Sequence, residues 1–138
     1  MINEFETALT TLLTGDATLA ALLTGGWFAD IASEGVAAPY GIFSLHSGPT
    51  FETFGASGLT LWEPVYLVKA VDGPTQSKKR AGQAADRIFT LLNGQTLTVS
   101  GYGSGPALHV EAVSYDEPAG GSFRMKHVGG LYRFFVTK

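Results

Sequence analysis

Cysteine is absent from this 138-residue chain. That excludes disulfides, zinc–thiolate sites and cysteine nucleophiles. Charge is scarce: Asp, Glu, Lys and Arg make up 15% of the residues, against about 25% in a typical soluble domain. No apolar run approaches the roughly 20 residues of a membrane-spanning helix, so no membrane partner is expected. The opening Met1-Ile2-Asn3-Glu4-Phe5-Glu6 is acidic where a secretory leader would be basic. A cytoplasmic product of a bacterial or phage genome is the natural expectation.

The most uneven absence is of cations. Residues 1–68 contain no Lys or Arg and seven acids: Glu4, Glu6, Asp16, Asp30, Glu34, Glu52 and Glu63. Residues 69–138 hold all nine basic residues against five acids, so the halves stand at −7 and +4. Two readings follow. The halves neutralise each other inside one subunit, or the acidic half of one subunit faces the basic half of the next. The second arrangement suits a head-to-tail ring.

What the chain does have is apolar residues, at 45%. With so little charge this composition argues for a folded chain and against disorder, and the length suits one domain. Asn3 is placed to cap a first helix, with Glu6 as its capping-box partner and Phe5, Ala8, Leu9 and Leu12 at helical spacing. Gly15 ends it. Asp16 is placed to cap a short second helix that Gly25-Gly26 ends, and residues 27–38 read as a connector. The third helix, from about Thr75 to Leu92, has an apolar stripe of Ala81, Ala84, Ala85, Ile88, Phe89 and Leu92.

Strands are expected over 40–46, 59–71, 96–100, 107–115 and 128–137. Pro64 calls for an edge or a bulge in the second of them. Asp72-Gly73-Pro74 reads as a turn, and 47–57, 101–106 and 116–126 read as loops. The fold class is α+β: a mainly antiparallel sheet packed with one long and two short helices in a single domain, 1–138. The strands are apolar on both faces. Tyr132, Phe134 and Val136 oppose Leu131 and Phe135, so one face needs a second layer, its own or a neighbour's.

No catalytic pattern emerges. His46, His109 and His127 lie on separate segments without paired metal-ligand spacing. His109 and Glu111 share a strand face as a polar pair. Gly101-Tyr102-Gly103-Ser104-Gly105-Pro106 fails both the dinucleotide and the GxSxG patterns, because no helix follows it. Asp116 and Glu117 are adjacent and point apart, which argues against a carboxylate pair acting on one substrate. Lys78, Lys79, Arg80 and Arg87 mark the polar side of the third helix, read as a solvated face or a salt-bridged subunit contact. No enzyme activity, metal or cofactor is expected.

The order of elements resembles a known family. Two short helices precede Ala38-Pro39-Tyr40-Gly41-Ile42. A long amphipathic helix then closes on Leu91-Leu92-Asn93-Gly94. Near the end stand Tyr115-Asp116-Glu117-Pro118 and His127-Val128-Gly129-Gly130-Leu131-Tyr132-Arg133-Phe134. Over nearly its whole length the chain resembles the tail completion (tail terminator) proteins of long-tailed bacteriophages. The resemblance implies a six-membered ring in the virion that caps the head-proximal end of the tail tube, ends its polymerisation and lets the head join. It implies as partners further copies of the chain, the major tail tube protein and a head-closure or connector protein, with DNA only as passing cargo. A head–tail connector or neck protein of stopper type is the second reading, and an unrelated small ligand-binding domain the third. Under the first, Gly129-Gly130 fits close backbone approach or a bulge at a strand start, and Arg133 would pair with an acid of the same or a neighbouring subunit. The loops 47–58 and 116–126, with Phe51, Phe54, Arg124 and Lys126, would contact neighbouring rings. Lys78, Lys79, Arg80 and Arg133 would lie at subunit interfaces.

Overall fold

The computed structural model describes residues 1–52 and 60–138; Phe54 lies outside them. The fold is α+β, with the strands mostly antiparallel. Strand β7 (Phe123–Thr137) is the spine of the sheet. Along one side it pairs with β6 (Gly103–Gly120). Along the other it pairs with β4 (Thr60–Trp62) and then β5 (Val65–Thr75) in one continuous register, Leu61 facing Thr137 and Val65 facing Arg133. β2 (Tyr40–Ser47) pairs with β5, and β3 (Thr50–Glu52) pairs with β4. Residues 27–38 are not all connector, because β1 (Trp27–Ala29) adds a short parallel edge on β2.

Pro64 interrupts the expected 59–71 strand without placing it at an edge. Its carbonyl accepts the Phe134 N–H at 2.8 Å, but proline has no N–H to return the bond. The ladder therefore breaks between Trp62 and Val65 and resumes in the same register.

All three helices lie on one face. α1 (Ile2–Thr14) buries Phe5, Leu9 and Leu13, with Leu12 only partly covered. It begins one residue after Met1 and has no side-chain cap. Asn3 is inside the helix, so the expected capping box does not form. α2 (Ala17–Leu22) is capped as expected, the Leu19 N–H donating to Asp16 Oδ2 at 2.9 Å. α3 (Lys79–Leu92) buries Ala81, Ala84, Ile88 and Leu92. It starts later than expected because β5 continues through Asp72-Gly73-Pro74 to Thr75, which pairs with Arg124.

The core forms where these helices meet the alternate residues of the sheet: Phe43, Tyr66, Val68, Ala70, Tyr132, Phe134 and Val136. Phe5 stands at its centre, 4.9 Å from Phe134, 5.0 Å from Tyr66 and 5.5 Å from Trp62 between ring centroids. Losing such a buried ring costs about 3–5 kcal/mol. The buried Tyr66 hydroxyl donates to Glu6 Oε1 at 2.8 Å and ties α1 to the sheet. Burial, aided by that carboxylate, holds the phenol protonated well above its ordinary pKa.

Two expectations about the C-terminal half are corrected. Residues 96–100 form no strand; only an isolated bridge joins Thr96 to Pro106. Residues 116–126 are not a loop, for β6 and β7 continue as a hairpin until Gly120 pairs with Phe123. Cross-strand pairs hold it there, including Lys126 Nζ on Asp116 Oδ2 at 2.8 Å. Gly129-Gly130 accordingly lie inside β7 and not at a strand start. The nearest register shift falls on β6 between His109 and Glu111, opposite Leu131 and Tyr132 and just past the glycines. That shift sets His109 opposite Tyr132 and Glu111 opposite Leu131. Directly opposed residues share a face, and successive β7 residues do not. His109 and Glu111 are therefore on opposite faces, and their expected pairing does not occur.

Candidate assembly surfaces

The helix-free face of the sheet is built from the other set of alternate residues. One row across it reads Tyr40, Val71, His127 and Tyr115, each paired with the next. The His127 and Tyr115 rings stack at 4.4 Å, 8° from parallel. Lys69, in the next row, sends its ammonium to the Tyr115 hydroxyl and lies 5.0 Å from the ring centroid. It passes beside Gly129, which pairs with Lys69. A Cβ on Gly129 would lie 2.2 Å from the Val68 carbonyl oxygen and 2.5 Å from Lys69 Cα. On the other face a Cβ on Gly130 would lie 2.8 Å from His109 Nε2. Gly129 is thus required by close backbone approach, whereas at Gly130 the nearest neighbour is the His109 ring.

Two sequence stretches ten residues apart, Tyr115-Asp116-Glu117 and Lys126-His127, are joined in this hairpin. His127 Nε2 lies 2.6 Å from Glu117 Oε1, matching a neutral imidazole that donates to the carboxylate. Burial lowers the His127 pKa; Glu117 pulls it back up only in part. Nδ1 is buried with no hydrogen-bond partner. Among the described residues no three His, Asp or Glu side chains converge to hold a metal. An open groove of about 570 Å³ beside α1 is lined by Asn3, Thr7, Thr11, Thr96 and Thr98 with Glu4. That lining offers neither a histidine nor a pair of carboxylates.

The sequence-selected residues separate to two ends of the sheet. Phe51 pairs with Leu61, and Leu61 with Thr137, at one end. Arg124 pairs with Thr75 near the other end, next to the β6–β7 turn and the start of α3 with Lys78 and Lys79. Fourteen residues separate Phe123 from Thr137 along β7, roughly 45 Å at the usual strand rise. Phe51 is 49% exposed and Phe123 50%, so each end presents an aromatic ring. The Lys78/Lys79 end carries two cations without an ion pair among the described residues; at the opposite end Glu4 is paired with the Met1 ammonium, and Glu63 shares that end with Lys138. Arg133 stands midway on the helix-free face, exposed, with no ion pair among the described residues.

The basic residues of the α3 region divide. Arg80 makes two hydrogen bonds to the buried Asp72, at 2.8 and 3.0 Å, and Lys126 is held by Asp116. Lys78 and Lys79 are exposed and make no ion pair among the described residues. Sequence reasoning missed Lys69 and Tyr115 because their meeting depends on strand register, which no short motif encodes. Phe89, assigned to the core stripe, is instead 43% exposed at the flank of α3. It stacks edge-on against His109 at 5.2 Å.

A chain in the virion of a native gene transfer agent particle superposes with a TM-score of 0.70, over 93% of this chain and 90% of that one. The fold is shared. Identity between the two is 19%, so the likeness lies in backbone architecture and not in sequence. No protein-family model and no curated protein sequence matches the chain.

Proposed function

We propose that the chain is a structural virion protein, a tail completion protein whose ring caps the head-proximal end of a tail tube. The observation that carries this reading is the fold shared, over 93% of the chain, with a component of a gene transfer agent virion. The disposition of surfaces supports it. A terminator must match the growing end of the tube on one side and offer a different surface to the head connector on the other. Here one end carries the unpaired Lys78 and Lys79, the other a mixture of Glu63, Lys138 and a Glu4 paired with the N-terminus; each end carries an exposed phenylalanine, and the β6–β7 hairpin and the sheet join them.

In this reading Phe51 and Phe54 belong to one axial contact, and Lys78, Lys79 and Arg124 to the other. Arg80 and Lys126 support the second contact through Asp72 and Asp116. Arg133 serves a contact between subunits, and the ring is a hexamer. DNA passes through the lumen without a dedicated site. Native mass spectrometry of the purified chain, alone and with short tail tubes, tests the reading. A closed hexamer in solution or on tube ends is expected. A chain that stays monomeric in both settings would overturn it.

A further inference from the structure

The two lateral edges of the sheet carry unlike surfaces at the same height. At the β1 edge the chain turns sharply after Ala29. Asp30 has φ of 63° and the Ile31 N–H donates to the Ala29 carbonyl at 2.7 Å. That is a γ-turn with a left-handed central residue, a costly conformation outside glycine. Its product is Ile31, 81% exposed. Asp30 and Glu34 flank it, exposed and in no ion pair among the described residues.

At the β6 edge, Leu108 is 46% exposed and Val110 47%, and Phe89 lies against their neighbour His109. Arg133 is paired with Leu108 on the same face. The strand edge itself is closed here. The Ala107 N–H donates to Gln95 O at 2.8 Å, and the His109 N–H donates to Asn93 Oδ1 at 3.0 Å. Strand addition is therefore blocked at 107–109, and what this edge offers is side chains.

The register fixes relative height. Asp30 bonds to Phe43, so Ile31 stands beside Ser44; Ser44 pairs with Leu67, Leu67 with Leu131 and Leu131 with Glu111. Val110 is the extra residue next to Glu111. Ile31 and Val110 thus fall within about one residue of the same row, roughly 3.4 Å along the strands. A head-to-tail contact closes into a ring only when donor and acceptor surfaces differ by a rotation without a rise. Equal height on opposite edges meets that condition for an axis along the strands, the axis that the two ends of the sheet imply.

We infer that Ile31 of one copy seats against Leu108 and Val110 of the next, with Asp30 and Glu34 facing Arg133. The occupant is a second copy of this chain. The inference rests on the ring reading above and names its lateral contact. It gives Arg133, already assigned to a contact between subunits, its acidic partners in Asp30 and Glu34.

The chain has no cysteine, so engineered pairs report cleanly. Ile31→Cys and Val110→Cys variants, mixed under mild oxidation, should give a covalent dimer. The double variant should give a ladder of covalent oligomers. Ile31→Asp should raise the concentration needed for assembly about tenfold or more, as loss of a buried anchor does, with thermal unfolding of the monomer unchanged. Asp30→Lys with Glu34→Lys should weaken assembly, and adding Arg133→Asp should restore it. Rings that form without cross-linking, or that tolerate Ile31→Asp, would overturn this contact and leave the tail-end reading standing. A wild-type chain that never assembles, in solution or on tubes, would overturn both.

Discussion

Asp16 and Arg87, 71 residues apart, are joined by two parallel hydrogen bonds, Nε to Oδ2 at 3.0 Å and Nη2 to Oδ1 at 2.7 Å. Among the described residues this is the one ion pair that joins an acid of the cation-free first half to a base of the second. Neutralisation within the subunit is therefore partial, and Asp30, Glu34 and Glu63 are left for other partners. Asp16 also caps α2. Asp16→Ala should lose about 1 kcal/mol from the cap alone, plus the ion pair, whereas Arg87→Met should lose only the latter. The Arg87 hydrogen bonds hold the Asp16 carboxyl below its ordinary 3.8. Its contribution is full above that value and is lost as pH falls through the lower folded value. Urea unfolding of both variants between pH 7 and pH 3 checks the order and the window.

His127 sets a second, higher window. Its folded pKa lies below the ordinary 6.5, chiefly through burial. The unfolded chain then binds the proton more readily, so the stabilising contribution is full above about pH 6.5 and shrinks as pH falls below it. Amide protection factors in the 115–127 hairpin should fall between pH 6.5 and 5 while those of α1 hold. His127→Gln should abolish that difference; an unchanged pH profile would show that His127 is not its source.

Gly129 and Gly82 predict opposite signs. Gly129→Ala drives a methyl into the β5 backbone and should cost about 3 kcal/mol, the upper range for overpacking. Gly82 sits inside α3 with nothing within 4 Å of its missing Cβ. Gly82→Ala should stabilise by about 0.5–1 kcal/mol. Chemical denaturation of the two variants gives both answers at once.

Much of this fold was legible from local pattern. The α3 stripe, the Asp16 cap and the strands at 40–46 and 128–137 follow from periodicity and end signals. What escaped was set by distant partners. Phe89 reads as core, yet Ala81, Ala84, Ile88 and Leu92 already fill the buried stripe, which leaves it at the rim. Asp116 to Lys126 read as a loop because Gly120, Gly121 and Pro118 are there. The Lys126–Asp116 and His127–Glu117 pairs instead extend the hairpin across them. The proposed assembly surfaces were half legible. The residues at the two ends were chosen from sequence, while Ile31 and Val110 matter only through register.

Lys78, Lys79 and Arg124 separate assembly from folding. Reversing all three to Glu should leave thermal unfolding within about 1 kcal/mol, because Lys78 and Lys79 are exposed and the half-buried Arg124 makes no ion pair among the described residues, and should impair binding at one axial contact. Arg80→Glu belongs to a different class, because it strands the buried Asp72 and should unfold the chain more readily. Calorimetry together with a tube-binding assay resolves the two classes. Normal tube binding by the triple variant would make the basic end a solvated surface.

A chain that closes the end of a tube must stop the tube's growth there. Electron microscopy of tail tubes, polymerising with and without the purified chain, tests it most directly. A ring of six subunits at one end of each tube, and an arrest of growth at that end, are expected. Tubes that lengthen unchecked with bare ends, in the presence of excess folded chain, would contradict it.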